Sequence, residues 1–191
     1  MIKVKPRERI LETAAKLFVR DGFHATGIDT IVAEAEVAKM TLYKHFESKE
    51  TLILEVLRRG DEQWRTRFES TVEKMAKTPE KRLLALFDAL QDWFEDEDFY
   101  GCTFINASAE YSVHKDDNKV LDVAGEHNRL VSEYVYDLAL EAKVNDPQKL
   151  SNHISLLIEG AIVSAMIKGQ ANVAQEAKEA AKILIQEQLK T

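Results

Sequence analysis

Residues 26–50 of this chain, TGIDTIVAEAEVAKMTLYKHFESKE, contain two short amphipathic segments separated by a turn near residues 35–37. Apolar side chains recur at spacings that keep one side of each segment inward. These side chains are Ile28, Ile31, Val32, Val37, Leu42 and Phe46. The first segment begins at Thr26, which resembles a helix cap with Asp29 three residues later, and a further helix begins at Ser48. Two short helices packed in this way predict a helix-turn-helix.

The second short helix carries side chains that bind phosphates and base edges. Lys39, Met40, Thr41, Tyr43 and Lys44 face outward, and His45 follows them. Lysine and tyrosine bind phosphate through charge and hydroxyl, while Thr41 offers a methyl group to thymine or a hydroxyl to a base. Thr26 lies at a helix N-terminus, where the helix dipole also favours phosphate. An ordinary solvated helix surface is the alternative interpretation, but the three-helix context favours a DNA reader.

Two stretches of this region resemble the TetR family of transcriptional regulators. Residues 31–46, IVAEAEVAKMTLYKHF, and the following residues 48–50 resemble the family signature. Residues 10–18, ILETAAKLF, and residues 21–23 resemble the first helix of that family. The resemblance implies that the residues matching Tyr43 and Lys49 contact the DNA backbone. The predicted DNA-binding residues are therefore Thr26, Lys39, Met40, Thr41, Tyr43, Lys44, His45 and Lys49.

The turn departs from the family pattern at two positions. The family commonly has glycine where this chain has Glu36, and serine or threonine where it has Ala38. Glu36 is therefore expected to adopt the backbone that glycine usually supplies, and a non-glycine residue at positive φ is strained. Ala38 has no side chain to cap the following helix, a loss of about 1 kcal/mol.

Composition and charge restrict the class of protein. The net charge is -7, but residues 1–60 hold 11 Lys and Arg against 9 Asp and Glu, whereas residues 61–191 hold 15 against 24. This distribution suits local contact with phosphate and repulsion elsewhere. The single cysteine excludes an internal disulfide, so we expect the protein to lie in a reducing cytoplasm. No histidines and cysteines have the spacing of a zinc site, so we expect no metal or cofactor. Residues 1–6 lack the apolar run of a signal peptide, so none is expected. The apolar segment 154–167 is too short for a membrane span and contains Glu159.

The rest of the chain is predicted to be helical. Only 7 glycines and 3 prolines occur, and apolar residues recur at spacings of three and four. The pattern predicts an all-α protein of nine helices, with a helix-turn-helix DNA-binding domain at 1–48 and a regulatory domain at 49–191. A long helix from Lys49 to Met75 joins the two.

Aromatic residues are concentrated in the second domain, where helical spacing is typical of a core. The resemblance implies instead an inducer cavity between these helices, with a few polar groups that orient a small molecule. The candidate pocket residues are Phe87, Trp93, Phe94, Cys102, Phe104, Asn106, His127 and Tyr134. Cys102 follows Gly101 near a helix N-terminus, which lowers a thiol pKa, whereas its apolar neighbours favour slow reaction. A regulator that senses electrophiles through Cys102 therefore stays open as an alternative.

The last two helices combine an apolar stripe with small residues, which let helices approach closely. The predicted dimer-interface residues are Leu157, Gly160, Ala161, Ala165, Ala177, Ala181 and Leu184. Packing of these helices within one chain is the alternative. The resemblance implies a homodimer, and specific DNA reading also requires two recognition helices.

These observations predict a cytoplasmic, homodimeric regulator, most simply a repressor, that binds a palindromic operator in double-stranded DNA and responds to an unidentified small-molecule inducer. No membrane association is expected, and no motif of an enzyme is present. An effector-free helical interaction protein that keeps the first domain as structure only is the alternative from another class. An all-helical enzyme of the second domain would need a pocket with perturbed titratable groups.

Overall fold

The computed structural model describes residues 5–112, 118–169 and 172–189, which form nine helices and no strand. The helices are α1 (Pro6–Asp21), α2 (Ile28–Glu34), α3 (Lys39–His45), α4 (Lys49–Met75), α5 (Pro79–Phe94), α6 (Thr103–Tyr111), α7 (Lys119–Glu141), α8 (Pro147–Lys168) and α9 (Val173–Leu189). The prediction of an all-α protein with nine helices is confirmed for these residues.

Local signals in the sequence determine several helix ends. Pro6 begins α1, since the first turn of a helix has no use for the amide hydrogen that proline lacks. Gly22 ends α1 at a φ of 92°, and Gly169 ends α8 at a φ of 61°, both in the region that favours glycine. Asp146 caps α8, because its carboxylate accepts a hydrogen bond of 3.0 Å from the Lys149 amide. These ends are therefore encoded locally.

The chain divides into two compact units. The first contains residues 1–63 and 102–126, and the second contains residues 64–101 and 127–191. Helices α4 and α7 each pass from one unit into the other. The first unit is larger than the 1–48 domain predicted from the sequence, because it also contains the start of α4 and all of α6. The functional boundary at residue 48 stays a prediction.

The first unit has a core built by α1, α2, α3 and the start of α4. Its largest fully buried side chains are Ile10, Leu17, Phe18, Phe23, Ile31, Leu42, Phe46, Leu52, Ile53 and Leu57. Each such side chain contributes about 1.5–3 kcal/mol through removal from water. Leu42 and Phe46 belong to α3 and its C-cap, so the core holds one side of α3 in place and turns its other side to solvent.

The second unit is built by α5, α8 and α9, together with parts of α4 and α7. Leu83, Leu86, Phe87 and Leu90 of α5 are fully buried. An ion pair of 2.6 Å between Lys178 and Asp88 joins α9 to α5.

Three of the residues predicted for a dimer interface lie inside the second unit. Ala161, Ala165 and Ala181 are only 5%, 3% and 0% exposed. The physical reason is that their small side chains let α8 and α9 of one chain pack closely, which was the alternative interpretation of the small-residue stripe. These three are therefore removed from the predicted interface, while Gly160 is exposed and Leu157, Ala177 and Leu184 are partly exposed.

Helix α8 is the one helix among the described residues that is long and apolar enough to cross a membrane by length and composition. The segment is residues 147–167, and a little under half of its most apolar part is buried within the protein. It is longer than the segment 154–167 that the sequence suggested. Core helices of soluble proteins have the same properties, and α8 contacts both α5 and α9. The helix therefore does not indicate a membrane protein.

Candidate nucleic-acid interface

Helix α3 is positioned by a turn with an unusual backbone. Glu36 has a φ of 51°, so the expectation that this glutamate adopts a glycine-like conformation is confirmed. The turn is closed by the Val37 amide, which donates to the Val32 carbonyl at 3.1 Å. Ala38 is extended, with φ −71° and ψ 144°, and caps α3 without any side-chain hydrogen bond, as the sequence predicted. Helix α3 is therefore held by the buried Leu42 more than by its own ends.

The outward side of α3 carries an apolar, an aromatic and a cationic group. Met40 is 80% exposed and Tyr43 is 45% exposed, while Lys44 is exposed and Thr41 is half-buried. These four residues line one open concavity at the surface of the first unit. The predicted outward direction of all four side chains is therefore confirmed. His45 is also exposed, and its ring meets the buried Phe46 ring at 6.4 Å.

Lys39 is held by an acidic neighbour on α2. Its ammonium lies 2.7 Å from the Asp29 carboxylate, and both side chains are largely exposed. The hydrogen bond to Asp29 and the attraction of its charge raise the pKa of Lys39. The Asp29 carboxylate therefore balances part of the positive charge of Lys39. Of the two lysines of α3, Lys44 is the more available to a phosphate.

The capping prediction for Thr26 is wrong. Gly27 occupies the N-cap of α2, and Thr26 is only 3% exposed. The Thr26 hydroxyl donates toward the carbonyl oxygens of Gly22 at 2.7 Å and Leu17 at 3.3 Å. The Thr26 amide also donates to the Gly22 carbonyl. Both polar hydrogens of Thr26 are engaged inside the first unit, so we leave this residue out of the DNA-contacting set.

Lys49 occupies the first position of α4, and Ser48 caps that helix by accepting from the Thr51 amide at 3.0 Å. The Lys49 ammonium donates to the His24 carbonyl at 3.4 Å. Burial lowers the pKa of Lys49, while the charge of Glu110 opposes this shift. Lys49 thus lies beside the turn between α1 and α2, and the implied backbone contact stays a prediction.

The turn between α1 and α2 is fastened by the end of α6, which the sequence did not reveal. The amides of Phe23 and His24 donate to the Glu110 carboxylate at 2.9 and 2.7 Å. The His24 ring nitrogen Nε2 lies 3.0 Å from the Glu110 carbonyl oxygen, and the His24 ring stacks on Tyr111 at 4.7 Å. We call His24, Glu110 and Tyr111, with Gly22 and Phe23, the corner. Its halves are 86 or more residues apart in sequence, and no local signal links them.

Arg7, in the first turn of α1, pairs with Glu55, and its guanidinium lies 5.5 Å from the centre of the Phe46 ring. Lys5 is exposed, and Lys3 lies outside the described residues. Arg7 is therefore part of the support beneath α3 rather than a free cation.

The predicted pocket residues are distributed over both units. Phe87 and Phe94 are buried core residues of α5, and Trp93 is half-buried. Cys102 and Phe104 belong to the first unit and are 8% and 7% exposed.

Asn106 is half-buried in the first unit, and its backbone amide donates to the Cys102 backbone carbonyl at 3.0 Å. Cys102 is the N-cap of α6, as its position after Gly101 suggested. The ligand cavity itself stays a prediction.

Aromatic rings of the second unit form a cluster around Trp64, which was not among the predicted pocket residues. Trp64 stacks on Phe68 with ring centres 4.7 Å apart. It meets Trp93 at 5.4 Å and His127 at 5.5 Å, both edge-on, and Phe99 lies 5.1 Å from Trp93. The four-residue spacing of Trp64 and Phe68 along α4 was the sequence signal that could have identified them.

Tyr134 has a hydroxyl group that is buried without a hydrogen-bond partner among the described residues. Burial, followed by the negative charges of Glu69 and Glu73, raises the pKa of Tyr134 to about 12. The hydroxyl is therefore neutral and able to donate a hydrogen bond throughout the physiological range. No group of three or more metal-ligating side chains occurs in the described part of the chain.

Residues 10–56 match the family model for bacterial regulatory proteins of the tetR family. The match contains α1 from Ile10 onward, α2, α3 and the start of α4, with the turn at Glu36 and the outward residues of α3. The outward side of α3 and the turn before it therefore lie within the matched segment, whereas Arg7, Glu110 and Tyr111 lie outside it.

Two curated relatives are transcriptional regulators by name. The HTH-type transcriptional repressor DhaR of Mycobacterium sp. (strain GP1) is 32% identical over 116 residues, which are 61% of this chain and 57% of that repressor. The HTH-type transcriptional regulator YjdC of Escherichia coli (strain K12) is 24% identical over 171 residues, 87% of either chain. The match thus spans little more than half of the first relative and most of the second.

A solved structure extends the likeness over almost the whole chain. The crystal structure of a TetR-family transcriptional regulator from Streptomyces coelicolor superposes with a TM-score of 0.89 and 26% sequence identity. The likeness covers 97% of this chain and 96% of the other. The described helices therefore have the arrangement that the resemblance implied.

Proposed function

We propose, from the premise that this chain belongs to the TetR family of transcriptional regulators, that it is a homodimeric repressor of a palindromic operator, released by a small molecule. The observation that carries the proposal is the outward side of α3, where Met40, Tyr43 and Lys44 are exposed on a helix whose other side is anchored in the core. The repressor role is supported by the name of the relative DhaR. Family members act in the cytoplasm, and we propose the same location.

The two-fold symmetry of the proposed operator follows from the size of α3. Helix α3 has only 7 residues, and a single helix of this kind reads too few base pairs to select one site in a genome. Two copies related by a two-fold axis read two half-sites, so the operator repeats the symmetry of the protein.

We propose that the two chains meet along an exposed apolar stripe on α8 and α9. Leu156, Val163 and Ile167 are 66%, 37% and 79% exposed and follow one another on α8 at spacings of seven and four, with Gly160 between them. Ile183 on α9 is 69% exposed. Large apolar side chains exposed in a row along a helix mark an interaction surface. This stripe replaces the buried alanines of the sequence-based prediction.

Two observations in the second unit support a response to a small molecule. The cluster around Trp64 supplies aromatic surface, and the buried Tyr134 hydroxyl has a hydrogen bond left to make. Small-molecule sites combine apolar walls with a few polar groups of this kind. We propose that the inducer binds the state with widely spaced recognition helices better than the operator-bound state, which shifts the population away from DNA.

Selection from a random duplex library, followed by footprinting, tests the DNA-binding part of the proposal. We expect the wild-type protein to enrich an inverted repeat and to protect both of its half-sites. Reporter expression from a promoter with that repeat should fall when the protein is present. Enrichment of no sequence would contradict operator binding, and increased expression would make the protein an activator.

Light scattering after size exclusion tests the stripe. Leu156→Glu and Ile167→Glu each place a charge where we propose that the partner packs, so both variants should elute as a 21.7 kDa monomer. Asn128→Glu is the matched control, because it adds the same charge at an exposed position of α7. If the two stripe variants stay dimeric like the control, the chains meet elsewhere.

A response through Cys102 is the alternative to a pocket ligand. Cys102 is 8% exposed at the N-cap of α6, and burial slows the reaction of a thiol. We therefore expect iodoacetamide to alkylate it slowly at neutral pH and operator binding to persist. Rapid alkylation with loss of operator binding, absent in Cys102→Ser, would favour an electrophile sensor.

A further inference from the structure

Met40 is more exposed than any other large apolar side chain of the described residues, at 80%. A methionine in this position gives up the roughly 1.5–3 kcal/mol that burial of such a side chain contributes. No described residue of the first unit covers it, although Leu42, two residues later, is fully buried. The exposed side chain of Met40 therefore contributes little to the stability of the free protein.

The two residues beside Met40 in the first turn of α3 are less available to a partner than Met40 is. Lys39 is tied to Asp29 at 2.7 Å, and Thr41 is half-buried. Recognition helices of helix-turn-helix proteins present their first residues to base edges in the major groove. Lys44 and Tyr43, which line the same concavity, are suited to the flanking phosphates. Met40 is thus the most exposed side chain in the first turn of α3.

The chemistry of methionine selects one base. Methionine has no hydrogen to donate, and its sulfur is a weak acceptor. In the major groove, adenine, guanine and cytosine present hydrogen-bonding groups, whereas thymine also presents an apolar C5-methyl group. The flexible, polarisable thioether adapts to an apolar group at short range. Any other base edge would be left with an unpaired polar group against the Met40 side chain.

We infer that Met40 is a specificity-determining residue that buries its side chain against the C5-methyl group of a thymine in each operator half-site. This inference rests on the proposed function, because it requires α3 to lie in the major groove. It goes beyond that function in naming the base, the group on the base and the residue that reads it. The methyl group of Thr41 was the sequence-based candidate for this contact with thymine, and the inference assigns the contact to Met40 instead.

The test uses a duplex enriched by the wild-type protein, remade with deoxyuridine in place of one thymidine at a time. Deoxyuridine lacks only the C5-methyl group and keeps every hydrogen-bonding group of the base. At one position in each half-site, the substitution should weaken binding by about fourfold, the value of one buried methyl group. Fluorescence anisotropy at a fixed salt concentration gives the dissociation constants.

Variants identify the residue that reads the methyl group. Met40→Ala should bind the thymidine and deoxyuridine duplexes equally, whereas Met40→Leu should keep most of the difference because it keeps an apolar side chain. Thr41→Ser removes only the methyl group of Thr41 and should leave the difference unchanged. Thermal unfolding of the two Met40 variants should match the wild type, since Met40 is exposed.

Each outcome decides between the inference and the function beneath it. A wild-type protein that binds its duplex but is indifferent to deoxyuridine at every position overturns the inference and leaves DNA binding intact. A difference that persists in Met40→Ala, or that disappears in Thr41→Ser, also overturns it. Failure to enrich any duplex removes the proposed function as well.

Discussion

Helix α3 and the corner lie in the same unit but use their polar and apolar groups in opposite ways. Helix α3 has no side-chain cap and leaves Met40, Tyr43 and Lys44 in solvent. The corner buries Phe23 completely, and it pairs the amides of Phe23 and His24 with one carboxylate. The outward side of α3 therefore has groups that a partner can still contact, whereas the amides of the corner are already paired within the protein.

This difference distinguishes residues that we expect to contact DNA from residues that stabilise the fold. A group that is satisfied within the protein, such as the Thr26 hydroxyl, has little to offer a partner. An exposed apolar group such as Met40 gains only when a partner covers it. Substitutions in the corner should therefore change stability, whereas substitutions on the outward side of α3 should change DNA affinity alone.

The largest effect is expected where the two kinds of residue are neighbours. Leu42→Ala removes a fully buried side chain and should lower the free energy of unfolding by about 2–5 kcal/mol. Tyr43→Ala, one residue later on the exposed side, should change it by less than about 0.5 kcal/mol. Urea unfolding followed by circular dichroism measures both. Equal losses in the two variants would mean that α3 has no distinct outward side.

Removal of the Glu110 carboxylate should loosen the corner. Glu110→Ala leaves the Phe23 and His24 amides without their acceptor, and hydrogen bonds to a charged group contribute about 1.5–3 kcal/mol. We expect a loss of about 2 kcal/mol, with Glu110→Gln losing less because its amide oxygen still accepts. Glu47→Ala, at an exposed position of the same unit, is the control. A Glu110→Ala variant as stable as this control would show that the corner is not held by the carboxylate.

Thr26→Val tests whether this buried residue stabilises the fold or contacts the operator. The substitution preserves shape and removes the hydroxyl that donates to Gly22 and Leu17, at a cost of about 1 kcal/mol. Operator affinity below the unfolding temperature should be unchanged. If affinity falls while the unfolding temperature stays constant, Thr26 belongs to the interface after all.

Ala38→Ser should have the smallest effect and the opposite sign. Ala38 already has the extended backbone of a helix cap but no hydrogen-bonding side chain. A serine hydroxyl there can accept from the first-turn amides of α3, which should stabilise the protein by about 0.5 kcal/mol, at the low end for such caps. The shift in thermal unfolding temperature measures it, and a destabilised variant would contradict the geometry of the cap.

Local features of the sequence predicted the elements well but not the contacts between distant segments. The helix ends at Pro6 and Gly22 follow from the preferences of single residues, whereas the positive φ of Glu36 was expected from the glycine that the resembling family has at this position. The pairing of Glu110 with the α1–α2 turn joins residues 86 or more positions apart and leaves no periodic signal. The packing partner of Ala161 was equally hidden, because a small residue suits a contact within one chain or between two.

The outward side of α3 was predictable because one rule governs it. Leu42 and Phe46 must face the core, and the helical period then turns Met40, Tyr43 and Lys44 outward. The pairing of Lys39 with Asp29 was not predictable, since it depends on the angle between α2 and α3 rather than on either helix.

The most direct test of the account is the operator affinity of the double variant Tyr43→Ala, Lys44→Ala across a range of salt concentrations. We predict a loss of affinity of about tenfold or more at unchanged unfolding temperature, since phosphate-binding groups supply a large share of the affinity for DNA. In addition, the slope of log affinity against log salt should become shallower by about 1 for each phosphate that Lys44 neutralises in the wild-type complex. A double variant that binds the operator with wild-type affinity and slope would contradict the assignment of α3 as the DNA reader.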